Sequence, residues 1–137
     1  MSEPTEQLSL QLDLSNIGHA PCSLWGYPGI SLVDAAGRLL PLVSAWRGDL
    51  VVTASPPVPV DLAPGATADV MVNKGACELG DADVAASLRL IPPDDTGALV
   101  LDLAGLRVLD ACTGDQPWGA TLDVSPVEPT AAATRSR

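Results

Sequence analysis

Three cysteines, one histidine and four aromatic rings are the residues of this 137-residue chain whose types could carry chemistry or recognise a ligand. Cys22, Cys77 and Cys112 lack the paired C-x-x-C spacing of a zinc site, and His19 sits just ahead of Cys22 in a Gly/Pro-rich turn. A nucleophilic Cys22 with His19 as base would need an orienting carboxylate and a fixed geometry, which near neighbours in a turn do not provide. The preferred reading is a buried or disulfide-bonded cysteine beside an exposed histidine. Three cysteines allow three single pairings, each with one thiol left over, and spacing alone does not choose among them. The acidic pairs Asp81/Asp83 and Asp94/Asp95 fall short of the six to eight oxygen ligands calcium takes, and they read as solvated turns. Arg47-Gly48-Asp49 is the tripeptide integrins recognise at a loop tip, but a tripeptide arises readily by chance. No G-x-S-x-G elbow, P-loop, H-E-x-x-H or G-x-G-x-x-G is present. Carboxylates such as Asp102 and Asp123 would act as a glycosidase pair only if the fold converged them. The expectation is a non-catalytic protein with no metal and no cofactor.

The aromatic residues are Trp25, Tyr27, Trp46 and Trp118, with no phenylalanine anywhere. Trp25 and Tyr27 bracket Gly26, so on an extended segment both rings point to one face, suited to stacking on a sugar or a partner's side chain. Because a core without phenylalanine would use its few large rings as plugs, closing one end of the fold is the preferred role for this pair. Trp46 and Trp118 stand in loop-like contexts and are the expected exposed rings. These four are the candidate binding residues.

The elements that must position them alternate with period two. Leu8, Leu10, Leu12 and Leu14 interleave with polar residues; Ala68, Val70 and Val72, Ala86, Leu88 and Leu90, and Leu99, Leu101 and Leu103 do the same. Further strands are expected at Ile30 to Val33, Leu39 to Val43, Leu50 to Thr53, Val58 to Leu62, Leu106 to Leu109 and Thr121 to Val127. Only Asp81 to Ser87 reads as even briefly helical. Asp34-Ala-Ala-Gly37 and Pro92-Pro93-Asp94-Asp95-Thr96-Gly97 read as turns, and Gly26 with Gly29 around Tyr27-Pro28 reads as a sharp reversal. About eight to ten short strands punctuated by 13 prolines and 12 glycines predict an all-β protein, an antiparallel β-sandwich. One domain over 8–127 is expected, with 1–7 and 128–137 as flexible termini.

Seventeen acidic against seven basic residues give a net charge of −10, which argues against nucleic-acid and anionic-membrane binding. Asp13, Asp69, Asp102 and Asp123 fall singly on strand positions read as outward, where they would keep the sheets soluble and their edges protected. The charge-free stretch from Leu14 to Val33 is too polar and too interrupted to span a bilayer. Met1 to Gln7 is acidic and hydrophilic, so no signal peptide is expected in this chain: either the protein stays in the cytoplasm or a leader precedes it.

The run Leu10-x-Leu12-x-Leu14-x-Asn16-x-Gly18 followed by Pro21-Cys22-x-Leu24-x-Gly26-Tyr27-Pro28-Gly29-Ile30 resembles the opening of an actinobacterial domain of unknown function, family 4232. Leu62-Ala63-Pro64-Gly65, Cys77, Pro92-Pro93, Cys112 and Val124-Ser125-Pro126-Val127 match in order. The resemblance implies an immunoglobulin-like sandwich in an exported setting, secreted or lipoprotein-like in the cell envelope, and implies no activity. It also implies a Cys77–Cys112 disulfide, with Cys22 free and at least partly buried, because the cysteine that family members commonly carry before the first strand is missing here. Closing a loop of roughly 35 residues would stabilise the fold by about 3 to 4 kcal/mol. The expected function is a protein-interaction module engaging an envelope protein through a sheet edge or the aromatic loops; the alternative is a carbohydrate-binding module placing the same rings on a cell-wall glycan.

Overall fold

The computed structural model describes residues 7–49, 51–75, 82–83, 85–93, 97–103, 111–112 and 121–136. Its strands are β1 (Gln7–Ser15), β2 (Cys22–Leu24), β3 (Gly29–Val33), β4 (Val43–Ala45), β5 (Val60–Leu62), β6 (Thr67–Gly75), β7 (Ala82–Asp83), β8 (Ser87–Ile91), β9 (Leu99–Asp102), β10 (Ala111–Cys112) and β11 (Thr121–Val124), followed by a 3-10 turn at Ala132–Thr134. They form a four-stranded sheet in the order β1-β6-β11-β4, a three-stranded sheet β3-β8-β9, and two-stranded pairs β2-β5 and β10-β7. The protein is all-β, as its alternation predicts, and a core between two layers gives it the form of a sandwich.

The longest pairing is β1 with β6, antiparallel from Gln7↔Gly75 to Ser15↔Thr67. It sets Leu10, Leu12 and Leu14 against Val72, Val70 and Ala68, so the apolar parity of both strands falls on one face. That face packs on Leu32, Leu88 and Leu90 of the three-stranded sheet and on Val60 and Leu62 of β5. The Asp34 turn forms as expected: its carboxylate accepts from the backbone N–H of Ala36 and Arg38, both at 2.9 Å, and Gly37 takes a φ of +86°.

Elsewhere the structure departs from the sequence reading. Leu39 to Val43 is not a continuous strand: Pro41 has no N–H to offer, the Leu42 N–H turns back to the Leu40 carbonyl at 2.8 Å, and the strand starts only at Val43. That strand, β4, runs parallel to β11, the one parallel pairing among the described residues. Of the strand expected at Leu50 to Thr53, residue 50 lies outside the described residues and Val52 forms an isolated bridge to Arg135. The segment expected to be helical carries strand at Ala82–Asp83 and Ser87. Leu106 to Leu109 lies outside the described residues.

The outer face of the four-stranded sheet is not solvated either. In β6, Asp69, Met71 and Asn73 are buried along with the core-facing residues. The cover comes from residues 46–49 and 51–55 together with the end of the chain. Residues 128–136 are therefore docked and are not a detached tail: Asp69 and Glu128 exchange backbone hydrogen bonds at 2.8 and 2.9 Å, Thr53 N–H donates to the Thr134 carbonyl, and Ser136 N–H to the Val51 carbonyl. Thr134 is fully buried, and its hydroxyl donates to the Ala131 carbonyl at 2.6 Å. The segment lacks an apolar period because backbone hydrogen bonds, and not a hydrophobic stripe, hold it. Residues 1–6 lie outside the described residues.

Candidate functional site

The Gly26-Tyr27-Pro28 motif carries the chain from one sheet to another instead of reversing it between paired strands, since β2 pairs with β5 and β3 with β8. Gly26 is buried with a φ of +116°, a conformation open to glycine at little cost, and its carbonyl accepts the Val127 N–H at 2.9 Å. This crossing sets the aromatic residues. Tyr27 stacks with Trp46 at a centroid separation of 5.5 Å and a tilt of 37°, and its hydroxyl donates to the Trp46 carbonyl at 3.3 Å. Among the described residues this is the ring pair; the expected pairing of Trp25 with Tyr27 does not form. Trp25 is 56 % exposed, so it does not plug the fold, whereas Trp46, at 51 %, is exposed as its loop context suggests. Their tilt denies Tyr27 and Trp46 the flat shared face on which a pyranose ring stacks. Trp118 and Cys77 lie outside the described residues, as does the Cys112 side chain.

Cys22 is free and exposed, which corrects the expectation of partial burial: β2 is a three-residue strand that among the described residues pairs with β5 alone, and its first two residues are exposed. His19 is exposed in the preceding turn. Among the described residues no three His, Cys, Asp or Glu side chains come together where they could hold a metal ion. Asp102 and Asp123 lie on different sheets. Asp81, Asp94 and Asp95 lie outside the described residues.

Arg47-Gly48-Asp49 turns its aspartate inward. Asp49 Oδ1 accepts the Val51 and Val52 N–H groups at 2.7 Å, and Oδ2 accepts Asn73 Nδ2 at 2.7 Å. Gly48 has a φ of +81°, and a Cβ there would meet Ala54 at 2.8 Å. An integrin-type presentation, with the carboxylate free at a loop tip, does not fit this geometry. Asp49 also hydrogen-bonds Asp123, and burial with this partner pushes the Asp123 pKa up to about 6 against the pull of Arg47. A second pair forms across β1 and β6, where Asp13 stands opposite Asp69: burial, then the Asp13 carboxyl, raises Asp69 to about 6. Asp69 is 8 % exposed, so it is not the solvated outward acid its position in the alternation suggested.

Sequence reasoning missed an accessible apolar surface. All four residues of β9 are exposed, Leu99 by 54 %, Val100 by 66 % and Leu101 by 41 %, and among the described residues β9 is the last strand of its sheet. β1 is likewise at the margin of the four-stranded sheet among the described residues, and between the two strands lies a cleft of about 320 Å³ lined by Leu12, Leu14, Leu88, Leu90, Leu99, Val100 and Leu101, with Gln11 and Asp13 beside them. A second hollow of about 490 Å³, beside Asn16, Ile17, Cys22 and Pro93, shares Leu14 and Leu99 with the first. The signal was present in the sequence: Leu99-Val100-Leu101 is apolar on both parities, unlike β1 or β8.

No curated protein and no solved structure matches the chain. A family described as Domain of unknown function (DUF4232) matches residues 2–128, nearly the whole chain and all of the strands that build the aromatic crossing and the β1/β9 seam. The chain belongs to this family of domains of unknown function.

Proposed function

We propose that this is a non-catalytic protein-interaction domain of the cell envelope or of a secreted protein, with an immunoglobulin-like sandwich presenting its partner-binding surface along the β9 edge. One observation carries the reading: a sheet edge with three consecutive exposed apolar residues, opening onto a cleft floored by core leucines. Soluble monomeric proteins cover or charge such edges, and an uncovered one marks a contact surface. The alternative, a carbohydrate-binding module using Trp25, Tyr27 and Trp46, draws less support because the paired rings are tilted and the tyrosine hydroxyl is engaged.

Two measurements separate these readings. A photo-crosslinking residue in place of Val100 is expected to capture an envelope protein whose purified form binds the domain and loses binding to Leu101→Asp, whereas a crosslinker in place of Trp46 captures none. Titration with cell-wall polysaccharide is expected to leave tryptophan fluorescence unchanged. Saturable quenching abolished by Trp25→Ala or Trp46→Ala would overturn the protein-interaction reading in favour of the glycan.

The extracytoplasmic location carries its own prediction. In an oxidising compartment Cys77 and Cys112 pair, and non-reducing peptide mapping of the protein from its native host is expected to join them. Cys22, exposed and free, alkylates without denaturant. A peptide linking Cys22 to either other cysteine, or ready alkylation of all three, would reject the assignment.

A further inference from the structure

We infer that residues 128–136 form a strap over the outer face of the four-stranded sheet, one that lets go when the carboxyls beneath it lose their protons while the sandwich behind the sheet stays folded.

The chain is pinned as far as Val127, which is fully buried in the hydrophobic core and donates its N–H to the Gly26 carbonyl. Beyond that residue the hold changes in kind. Within 128–136 the buried residues are Glu128 and Thr134, both polar, and neither belongs to the core cluster. Backbone groups bind the segment instead. Glu128 and Asp69 exchange hydrogen bonds, Thr53 N–H donates to the Thr134 carbonyl at 2.8 Å, and Ser136 N–H donates to the Val51 carbonyl at 2.7 Å. One side chain adds to these, Gln11 Nε2 donating to the Thr134 hydroxyl at 3.3 Å. A segment held with so few buried apolar contacts opens locally, at a lower free energy than the unfolding of the whole domain.

Under the near end of the strap three acidic residues fall in one row. Asp13 stands opposite Asp69 across β1 and β6, and Asp69 is bridged in turn to Glu128 of the strap. Like charges directly opposite one another on neighbouring strands are destabilising. Asp69 and Glu128 are both buried, so the docked form favours their neutral state. Burial, then Asp13, pushes the Asp69 pKa up to about 6, and burial raises Glu128 as well. Lifting the strap carries Glu128 into water and removes the chain beside Asp69. The docked form therefore keeps protons that the open form gives up, and the hold is complete below the ordinary carboxylate range and weakens as the pH rises through about 6. Asp123, also raised to about 6 by burial and then by its hydrogen bond to Asp49, loosens in the same direction the stretch in which Val51 and Thr53 bind the strap. Arg47 opposes this by favouring the charged Asp123, whereas Arg135 is exposed on the strap itself.

Native-state hydrogen exchange by NMR on the whole chain tests this, with each amide rate compared with its unstructured-chain rate at the same pH. The Thr53, Glu128 and Ser136 N–H groups are expected to exchange at least tenfold faster than those of Ala86 and Leu103, which bond to Val33 and Ala86 away from the strap. Low urea is expected to speed the latter two and leave the strap groups unchanged. A carboxyl moving between about 6 when docked and 3.8 in water shifts the opening equilibrium about tenfold between pH 5 and pH 7.5, and strap protection is expected to fall by that factor. Asp69→Asn and Glu128→Gln are each expected to keep the strap better protected than the parent at pH 7.5 and to flatten its pH dependence. Glu128→Gln decides alone if Asp69→Asn does not fold. Equal protection of strap and reference amides, all answering to urea, would overturn the strap, since the segment would then leave only with global unfolding. Strap protection equal at pH 5 and pH 7.5, or a pH dependence that survives both substitutions, would overturn its control by the carboxyls.

Discussion

Asp49→Ala is expected to lower the free energy of unfolding by about 3 kcal/mol, a fall of roughly 10 °C in Tm for a chain of this size. The carboxylate is the single acceptor that fastens three things at once: the Val51 and Val52 N–H groups of its own loop and the side-chain amide of Asn73 on β6. Asn73 is fully buried, so its amide cannot turn to water when the acceptor is removed. Losing a buried hydrogen bond costs about 1 to 3 kcal/mol, and bonds to an ionised acceptor are the stronger kind. The loss spreads, because the same loop receives the end of the chain through the Thr53 to Thr134 and Ser136 to Val51 backbone bonds. Asp49→Asn is expected to fall between the two proteins, keeping an oxygen for the loop N–H groups while placing an amide where Asn73 needs an acceptor. Thermal denaturation with hydrogen exchange at Val51, Val52 and Thr53 tests this; a Tm within 2 °C of the parent for Asp49→Ala would mean that other contacts hold the cover.

The same loop shows where the sequence was readable and where it was not. β1, β6, β8, β9 and β11 were legible because each strand puts apolar residues on alternate positions and the core lies on one side of the sheet. Leu50 to Thr53 reads as equally strand-like, yet Asp49 redirects the Val51 and Val52 N–H groups into a turn, and local side-chain competition with the ladder has no period to detect. The outer cover was illegible for a related reason. Asp13, Asp69 and Asp123 alternate as solvated residues would, and only Met71 on the same face hinted at burial. The docked segment 128–136 is held by backbone bonds that leave no mark in residue type.

The candidate site divides along similar lines. Composition narrowed the rings to four, and Trp25 and Trp46 are exposed, but their mutual arrangement depends on β2 and β3 entering different sheets, a topological fact that spacing does not encode. The β9 edge was recorded in the sequence as Leu99-Val100-Leu101 without being recognisable as an edge. A doubly apolar strand reads the same whether it lies at the centre of a sheet or at its margin. The placement of β1 at the matching margin turns that strand into one wall of a cleft.

Stability is expected to fall as the pH rises from about 4 to above 6, the reverse of ordinary acid denaturation. Asp69 and Asp123 have folded-state pKa values pushed up to about 6 from an ordinary 3.8, chiefly by burial and then by Asp13 and Asp49 beside them. In that window the folded protein binds more protons than the unfolded chain, so their favourable contribution is fully present below about pH 4 and is lost through pH 6. Allowing for screening by the solvent at the sheet surface, each contributes on the order of 1 kcal/mol, together about 5 °C in Tm between pH 4.5 and pH 7.5. Glu128, raised by burial, acts in the same direction. Asp34 is lowered by its backbone hydrogen bonds, so its stabilising contribution is lost only below its ordinary value, outside this range. Asp123→Asn removes the titrating group and leaves an amide that donates to Asp49 without taking up a proton. Its Tm is expected to match the parent at pH 4.5, exceed it at pH 7.5, and vary less with pH in between. A parent Tm that stays flat or climbs across this range, or an Asp123→Asn protein less stable than the parent at pH 7.5, would show that the two carboxyl pairs do not share protons in the folded state.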